Sequence, residues 1–394
     1  MKKRKIYKIK GYTHFDTKKK DYWNYTKKMQ DKEWIKAHAF YPFIHYEEEK
    51  KRFDGKELIT KPPRDIRYSA HIDRYIYEYY NEKISIKYNK YAKKIGINQA
   101  SIAYRNSLGK NNIHFSKDVF TFLHKLDNAF IIVADFSNFF DNLEHKYLKE
   151  RLKEVLNVET LPDDYYKIYK SITQYSYINY EDILKELVLT HKELVKLKKE
   201  RLFEPKEFRD IKKKYLHKNK NNYGIVQGSA ISSVMSNIYM IKFDKMINDM
   251  ITSNNGIYRR YSDDIIIVIP NIGEAFNIYD KVMEIKKQIP NLDFSLEKTK
   301  CFLKKGNVIN EISPIKKKII KKNTNINYLG FSYNGSIVKI KEKTVAKFYR
   351  KMYARIRTIN KWSIKKQRNI GRKKLYKQYT YLGKNTKNIK KVIF

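Results

Sequence analysis

The chain has 394 residues, 85 Lys+Arg against 42 Asp+Glu, and a formal net charge of +43. With 42% hydrophobic residues it is too apolar for a disordered polycation, and 13 Gly with 8 Pro exclude collagen-like or low-complexity chains. Its one cysteine, Cys301, excludes a disulfide framework and a cysteine-based zinc ribbon.

The basic segment Met1–Lys10 lacks an apolar core, so no secretory signal is expected. No apolar run reaches the roughly 18 residues of a membrane span, so no membrane partner is expected either. A soluble, cytoplasmic protein is the expectation, its charge matched by a polyanion or spread over solvated surface.

Residues 1–60 mix charge with aromatics and read as mostly helical. Lys61-Pro62-Pro63 is a breaker followed by extended chain. A helix starts near Asp73, with aromatic spacing through Tyr80. Residues 129–134, Ala-Phe-Ile-Ile-Val-Ala, predict a buried strand that ends at Asp135. Residues 141–220 read as mostly helical, and the charged stretch 181–220 as a solvated helical pair. A glycine turn opens a helix over 224–250. Ile257 to Pro270 predicts strand, turn, strand, with Ser262-Asp263-Asp264 at the turn. A helix over 273–288 and a short strand near Phe294 follow. Asn327 to Ile340 predicts a hairpin turning at Asn334-Gly335. From Thr344 onward a basic helical region is expected.

The chemistry concentrates in two places. Asp135-Phe136-Ser137-Asn138-Phe139-Phe140-Asp141 directly follows a buried strand, and Tyr261-Ser262-Asp263-Asp264 joins two apolar strands. Carboxylates at strand ends are costly unless a cation neutralises them. Acids from two strands suit hard divalent cations, which take oxygen ligands. Two such ions about 3.5–4 Å apart can clamp the attacking and leaving oxygens of a phosphoryl displacement. An Asp-Asp pair alone is more often a polar turn; the flanking strands argue against that here.

In this setting the chain resembles a reverse transcriptase. Ala134-Asp135 through Asp141 is similar to the first palm motif. Gly224-Ile225-Val226-Gln227-Gly228-Ser229, running on to Asn237, is similar to the second. Tyr261-Ser262-Asp263-Asp264 is similar to the third, where many relatives have Ala in place of Ser262. Leu296-Glu297-Lys298-Thr299-Lys300 resembles the fourth, and Tyr328-Leu329-Gly330-Phe331 the primer grip. Arg64-Asp65-Ile66 resembles the fingers segment, with Asp65 where relatives usually have Pro.

The resemblance implies an α+β right-hand polymerase: fingers, a palm with a small antiparallel sheet, and a helical thumb. It divides the chain into an extension over 1–60, fingers over 61–130, palm over 131–335 with a charged insert near 150–220, and a basic thumb over 336–394. It implies RNA-directed DNA polymerisation with two Mg²⁺ ions, Mn²⁺ being a possible substitute. Asp135 and Asp263 would be metal ligands, with Asp264 completing the cluster and the Phe136 carbonyl adding a ligand. Asp141 would form a salt bridge within the palm. Phe140 would exclude a ribose 2′-hydroxyl. Gln227 and Gly228 would lie against nucleotide and template. Lys298 would protonate or stabilise the leaving pyrophosphate. Arg64, and second Lys61, would grip the triphosphate. Arg105 would touch template backbone or be a surface residue. Leu329, Gly330 and Phe331 would press on the primer end, or form an ordinary hairpin. Lys347 and Arg350 would follow the duplex backbone.

Ile102-Ala103-Tyr104-Arg105, the charged insert and Gln227-Gly228-Ser229-Ala230-Ile231-Ser232 are most similar to bacterial defence-associated reverse transcriptases of the abortive-infection and unknown-group assemblage. That implies anti-phage defence, a structured non-coding RNA template, dNTP substrates and nascent DNA. Untemplated or protein-primed synthesis and a catalytically silent RNA-binding scaffold are the alternatives. Homo-oligomers occur in the family, and the sequence is silent on them here.

Overall fold

The computed structural model describes residues 11–17, 23–53, 57–197, 199–270 and 272–380. The fold is mixed helix and sheet. Its described residues divide into two compact units, one drawn from Met1–Tyr104, Phe136–Lys245 and Lys286–Asp293, the other from Arg105–Asp135, Met246–Ile285 and Phe294–Phe394.

The second unit is built on a six-stranded sheet. Its spatial order is Lys318–Lys321, Val308–Ser313, Lys300–Lys305, Asn128–Asp135, Asp264–Ile269 and Ile257–Tyr261. Every neighbouring pair is antiparallel. Phe130, Ile131, Ile132 and Ala134 are buried, as is the whole run Ile265 to Ile269. Such runs of branched residues suit strands covered on both faces. Val119, Phe120 and Leu123 of the helix Asn112–His124 pack into one core with Ile131, Ile266, Val268 and Phe302. Ile326, Tyr328 and Tyr333 join the same core.

Those last residues correct an expectation. The segment 326–340 is a three-stranded meander, Ile326–Tyr328, Phe331–Tyr333 and Val338–Ile340, rather than one hairpin. Leu329 and Gly330, with φ of +45° and +90°, make a first turn ahead of the expected one at Asn334-Gly335. The strand expected near Phe294 is a single bridge residue. The basic tail is helical as expected, over Glu342–Lys365 and Arg372–Tyr379.

The first unit holds a four-stranded sheet ordered Leu58–Tyr68, Phe43–Phe53, Ser176–Asn179, His217–Lys218. Residues 43–53 were expected to be helical and form a long strand instead. Their sequence, Phe-Ile-His-Tyr-Glu-Glu-Glu-Lys-Lys-Arg-Phe, has little apolar alternation, and the conformation comes from pairing with Leu58–Tyr68. Pro62 and Pro63 lie within that partner strand and not beyond its end. It is an edge strand, and its register shifts between Arg64 and Lys61, where a missing N–H costs least.

The long helix His71–Lys94 buries Tyr77, Tyr80, Ile84, Tyr88 and Ala92. Their spacing of three and four residues is a helical core stripe. The charged insert is not a solvated pair. It forms three helices, Tyr180–Leu187, His191–Leu197 and Pro205–Tyr215. Ile183, Leu194 and Ile211 point inward to a core with Phe15, Ile44 and Ile178.

Candidate active site

Asp135 is the last residue of a buried strand, and Asp264 the first of its neighbour. The two stand opposite one another in the antiparallel ladder. Tyr261 pairs with Asp264 across the next hairpin, which leaves Ser262 and Asp263 as a two-residue turn. Such tight hairpin turns require positive φ, a conformation costly for a residue with a side chain. Ser262 carries it, at +61°. The turn is held from below by Arg260, whose side chain is fully buried and whose Nη1 donates to the Ser262 carbonyl at 2.9 Å. No sequence signal marked Arg260, because its role depends on the turn closing over it.

The carboxylates repel one another. Burial, then Asp135, raises the Asp263 carboxyl above its ordinary range, while Lys298 pulls it down. Asp264 is pushed up to about 7 by burial, then by Asp263 and Asp135, with Lys298 and Lys341 opposing. Asp264 nevertheless keeps an exposed edge, so repulsion from Asp263 and Asp135 acts there beside a partial burial.

Lys298 donates to Asp135 Oδ1 at 2.8 Å. A second contact fixes that loop, with the Ser295 N–H donating to the Asp135 carbonyl at 2.8 Å. Asp135, Asp264, Lys298, Lys300, Asn327 and Lys341 line a cleft of about 230 Å³. Lys300 is engaged by Glu311 at 2.7 Å. Among the described residues, no three acidic, imidazole or thiol side chains form a preformed metal cage. The donor set nevertheless suits a divalent cation: hard carboxylate oxygens from adjoining strand ends, with Asp263 and Asp264 raised in pKa by burial and then by neighbouring acids. Asp135, Asp263 and Asp264 are the residues that would hold it.

Phe136, Phe140, Gln227, Gly228, Arg64 and Lys61 lie in the first unit. The Phe136 ring is buried against Phe139 and Phe243. Phe139 is a core residue, whereas Phe140 is half-buried, with its carbonyl accepting from the Ile225 N–H at 2.9 Å. The Gln227 carbonyl accepts from the Arg67 N–H at 3.1 Å. At Gly228, φ is +114° and a Cβ would stand 2.7 Å from the Arg67 carbonyl oxygen. The glycine is therefore required twice, by conformation and by space.

Arg67 is the second residue the sequence reading missed. It is 7% exposed, and its guanidinium carbon lies 5.2 Å and 5.1 Å from the ring centres of Tyr175 and Tyr177. Asp141 forms no ion pair among the described residues. Burial raises its pKa and Arg67 opposes that rise, so the expected salt bridge is a longer-range attraction. Arg64 is exposed on the edge strand. Lys61 shares that strand, and its side chain lies outside the described residues.

In the second unit, Arg105 is only 5% exposed, so its guanidinium is interior rather than a surface group. Leu329 and Gly330 form the meander turn and Phe331 begins its next strand. The Leu329 carbonyl accepts from Asn112 Nδ2 at 3.3 Å. Lys347 and Arg350 are exposed on the helix Glu342–Lys365. Tyr349 and Tyr353, 49% and 54% exposed, share that surface. No described helix is long and apolar enough to cross a membrane.

Among solved structures, the chain is similar to apo telomerase from Candida tropicalis truncated from its C-terminal domain, at 12% identity and a TM-score of 0.47, covering 76% of this chain and 57% of that one. It is also similar to telomerase from Candida albicans in complex with a TWJ fragment of telomeric RNA, at 14% identity and a TM-score of 0.40, covering 78% of this chain and 47% of that one. The chain thus spans about half the length of these structures. No curated protein matches it. The family model for reverse transcriptase (RNA-dependent DNA polymerase) matches residues 84–333, more than half of the chain and inclusive of every aspartate just described. The chain belongs to the reverse transcriptase family.

Proposed function

We propose that the chain is an RNA-directed DNA polymerase that adds deoxynucleotides to a 3′-hydroxyl in the cleft between Asp135 and Asp264. The observation that carries this is the juxtaposition of those two strand-end carboxylates, with Asp263 on the adjoining turn and Lys298 reaching in. The strands fix the acids before substrate arrives, so little reorganisation is needed at the moment of reaction.

Divalent ions, Mg²⁺ with Mn²⁺ as substitute, would supply charge stabilisation to the attacking and leaving oxygens. Lys298, which donates to Asp135, would give a proton to the departing pyrophosphate. Phe140 would exclude the 2′-hydroxyl, and Arg64 and Lys61 would hold the triphosphate. On this reading residues 61–130 are fingers, 131–335 palm and 336–394 thumb, and Lys347 and Arg350 follow the duplex backbone.

The template we propose is a structured non-coding RNA, and the setting bacterial anti-phage defence in the cytoplasm. The likeness of Ile102-Ala103-Tyr104-Arg105 and the charged insert to that branch supports this, as does the charge of +43.

The test is to purify the protein from its host with its nucleic acids, supply dNTPs and Mg²⁺, and sequence product and co-purifying RNA together. DNA complementary to a tract of that RNA is the expected result. DNA with no complement would replace templated by untemplated synthesis. Absence of dNTP incorporation, with RNA still bound, would overturn the polymerase in favour of a binding scaffold.

A further inference from the structure

We propose that the first unit carries a nucleobase-binding pocket that shares no residue with the carboxylate cleft. The pocket has a volume of about 490 Å³, and its walls include Tyr12, Tyr46, Tyr68, Tyr180, His191 and Val195. That size falls within the roughly 300–1,000 Å³ of small-molecule sites.

The walls come from segments far apart in sequence. Tyr46 and Tyr68 stand on paired strands, Tyr12 precedes the first described helix, and Tyr180 and His191 begin successive helices of the charged insert. Tyr68 meets Tyr12 edge to face at 5.1 Å between ring centres, and Tyr46 at 6.1 Å. Tyr46 and Val195 stay 39% and 62% exposed at the rim.

Polar groups converge on the same space. Burial, reinforced by the phenols of Tyr180, Tyr12 and Tyr46, keeps the Tyr68 hydroxyl neutral. Among the described residues nothing accepts its proton. The Tyr180 hydroxyl is hydrogen-bonded to His191 Nδ1 at 2.8 Å, and among the described residues the Nε2 edge of His191 has no hydrogen-bond partner. Tyr12 donates instead to the Ser69 carbonyl at 3.0 Å and offers the pocket its ring.

These features select the occupant. A purely apolar ligand would leave the Tyr68 hydroxyl and His191 unpaired, at a desolvation cost. A guanidinium or ammonium would find aromatic faces but no carboxylate, since among the described residues no acid lines the pocket. A nucleobase offers a flat face for tyrosine and an edge that both donates and accepts. Lys192 and Lys196, exposed on the helix that contributes His191 and Val195, add attraction for its phosphate. The base could belong to a free nucleotide or to an unpaired position in an RNA strand.

Two probes separate these sources. One is AMP, titrated calorimetrically against the full chain. The other is a short single-stranded RNA carrying 5-iodouridine, photocrosslinked and mapped by peptide mass spectrometry. Tyr46→Ala removes a rim ring, and Val195→Trp fills the space from an exposed position, so neither endangers the core. AMP binding weakened about tenfold by either variant, the size of one lost base–aromatic stack, assigns the pocket to a free nucleotide. Crosslinks at Tyr180 that both variants abolish, without AMP binding, assign it to an RNA base. Neither AMP binding nor crosslinks in the pocket overturns the proposal, as does binding that neither variant changes. The readout is binding alone, and Asp263→Asn, in the other unit, is expected to leave it intact. A failed pocket and a failed polymerase are therefore told apart.

Discussion

Asp135 and Asp264 face one another across two neighbouring strands, and Asp263 follows on the adjoining turn. Burial, then the neighbouring carboxylates, raises the pKa of Asp263 and of Asp264, so the site holds charge at the expense of the fold. Replacing Asp263 and Asp264 together by Asn keeps the shapes and removes the repulsion. Deoxynucleotide incorporation is expected to fall by on the order of 10³-fold or more. Thermal unfolding at neutral pH is expected to stay put or move upward. A drop in melting temperature parallel to the loss of activity would mean that the acids support structure rather than chemistry.

Lys298 is bound to Asp135 of that cluster. Its removal has two opposite consequences. Lys298→Met makes the cleft more negative, so Mn²⁺, followed by electron paramagnetic resonance, is expected to bind roughly fivefold more tightly. The incorporation rate at saturating metal is expected to fall by ~10²-fold, the scale of a lost general acid. If metal affinity and rate fell together, Lys298 would instead be holding Asp135 in place for the metal.

Gly228 carries a prediction about backbone geometry. Its φ of +114° and the Arg67 carbonyl 2.7 Å from a Cβ leave no room for Ala. Gly228→Ala is expected to cost about 1–3 kcal/mol in urea unfolding and to disturb Gln227, whose carbonyl is tied to Arg67. Gly109 is the control: φ is +63°, with nothing within 4 Å of its Cβ. Gly109→Ala meets strain without collision and is expected to cost about 1 kcal/mol. Equal losses would show that the contact with Arg67 has no weight.

What the sequence disclosed and what it concealed divide on a physical line. Apolar runs before Asp135 and after Asp264 marked both strands, since burial on two faces needs uninterrupted branched residues. The turn between them was visible because Ser-Asp-Asp interrupts such runs. Arg260 and Arg67 were hidden: each acts on backbone brought near it only by folding. The strand over 43–53 was hidden as well, because its conformation is imposed by pairing and not by its own charged residues. The charged insert misled for a related reason. Its few inward residues, Ile183, Leu194 and Ile211, are spread over three helices and are diluted by lysine and glutamate.

His14 connects pH to stability in the first unit. It is fully buried, its Nδ1 accepts from the Phe15 N–H at 2.8 Å, and its Nε2 reaches the Tyr68 carbonyl at 3.2 Å. Both ring nitrogens are satisfied only in the neutral form. Burial pushes its pKa from 6.5 down to about 3, with the Tyr68 hydrogen bond opposing and His71 assisting. The unfolded chain therefore takes up this proton first as pH falls. The stability His14 contributes is complete above pH 6.5 and is lost progressively toward pH 3. The slope approaches about 1.4 kcal/mol per pH unit. In urea titrations between those limits, the wild-type midpoint is expected to fall more steeply than that of His14→Gln. Parallel slopes would mean that the buried ring is protonated in the native state.

Phe140 provides the test that links the first unit to substrate choice. Phe139 and Phe140 are adjacent and chemically identical, yet only Phe139 is buried in the core. The half-buried ring of Phe140 touches Phe139 at 5.4 Å, edge to face, and its backbone is pinned by Ile225. Its position is thus fixed while part of its surface remains open to a ligand. Phe140→Ala is expected to fold normally and to raise ribonucleotide use relative to deoxynucleotide by about 10–100-fold, as steric discrimination by a few carbons allows. Single-nucleotide incorporation with matched dNTP and rNTP measures the ratio directly. Phe139→Ala, in the same assay, is expected to lose stability without gaining ribonucleotide use. Should both variants relax selectivity equally, the effect would come from loosened packing around the strand end, and Phe140 would have no gating role of its own.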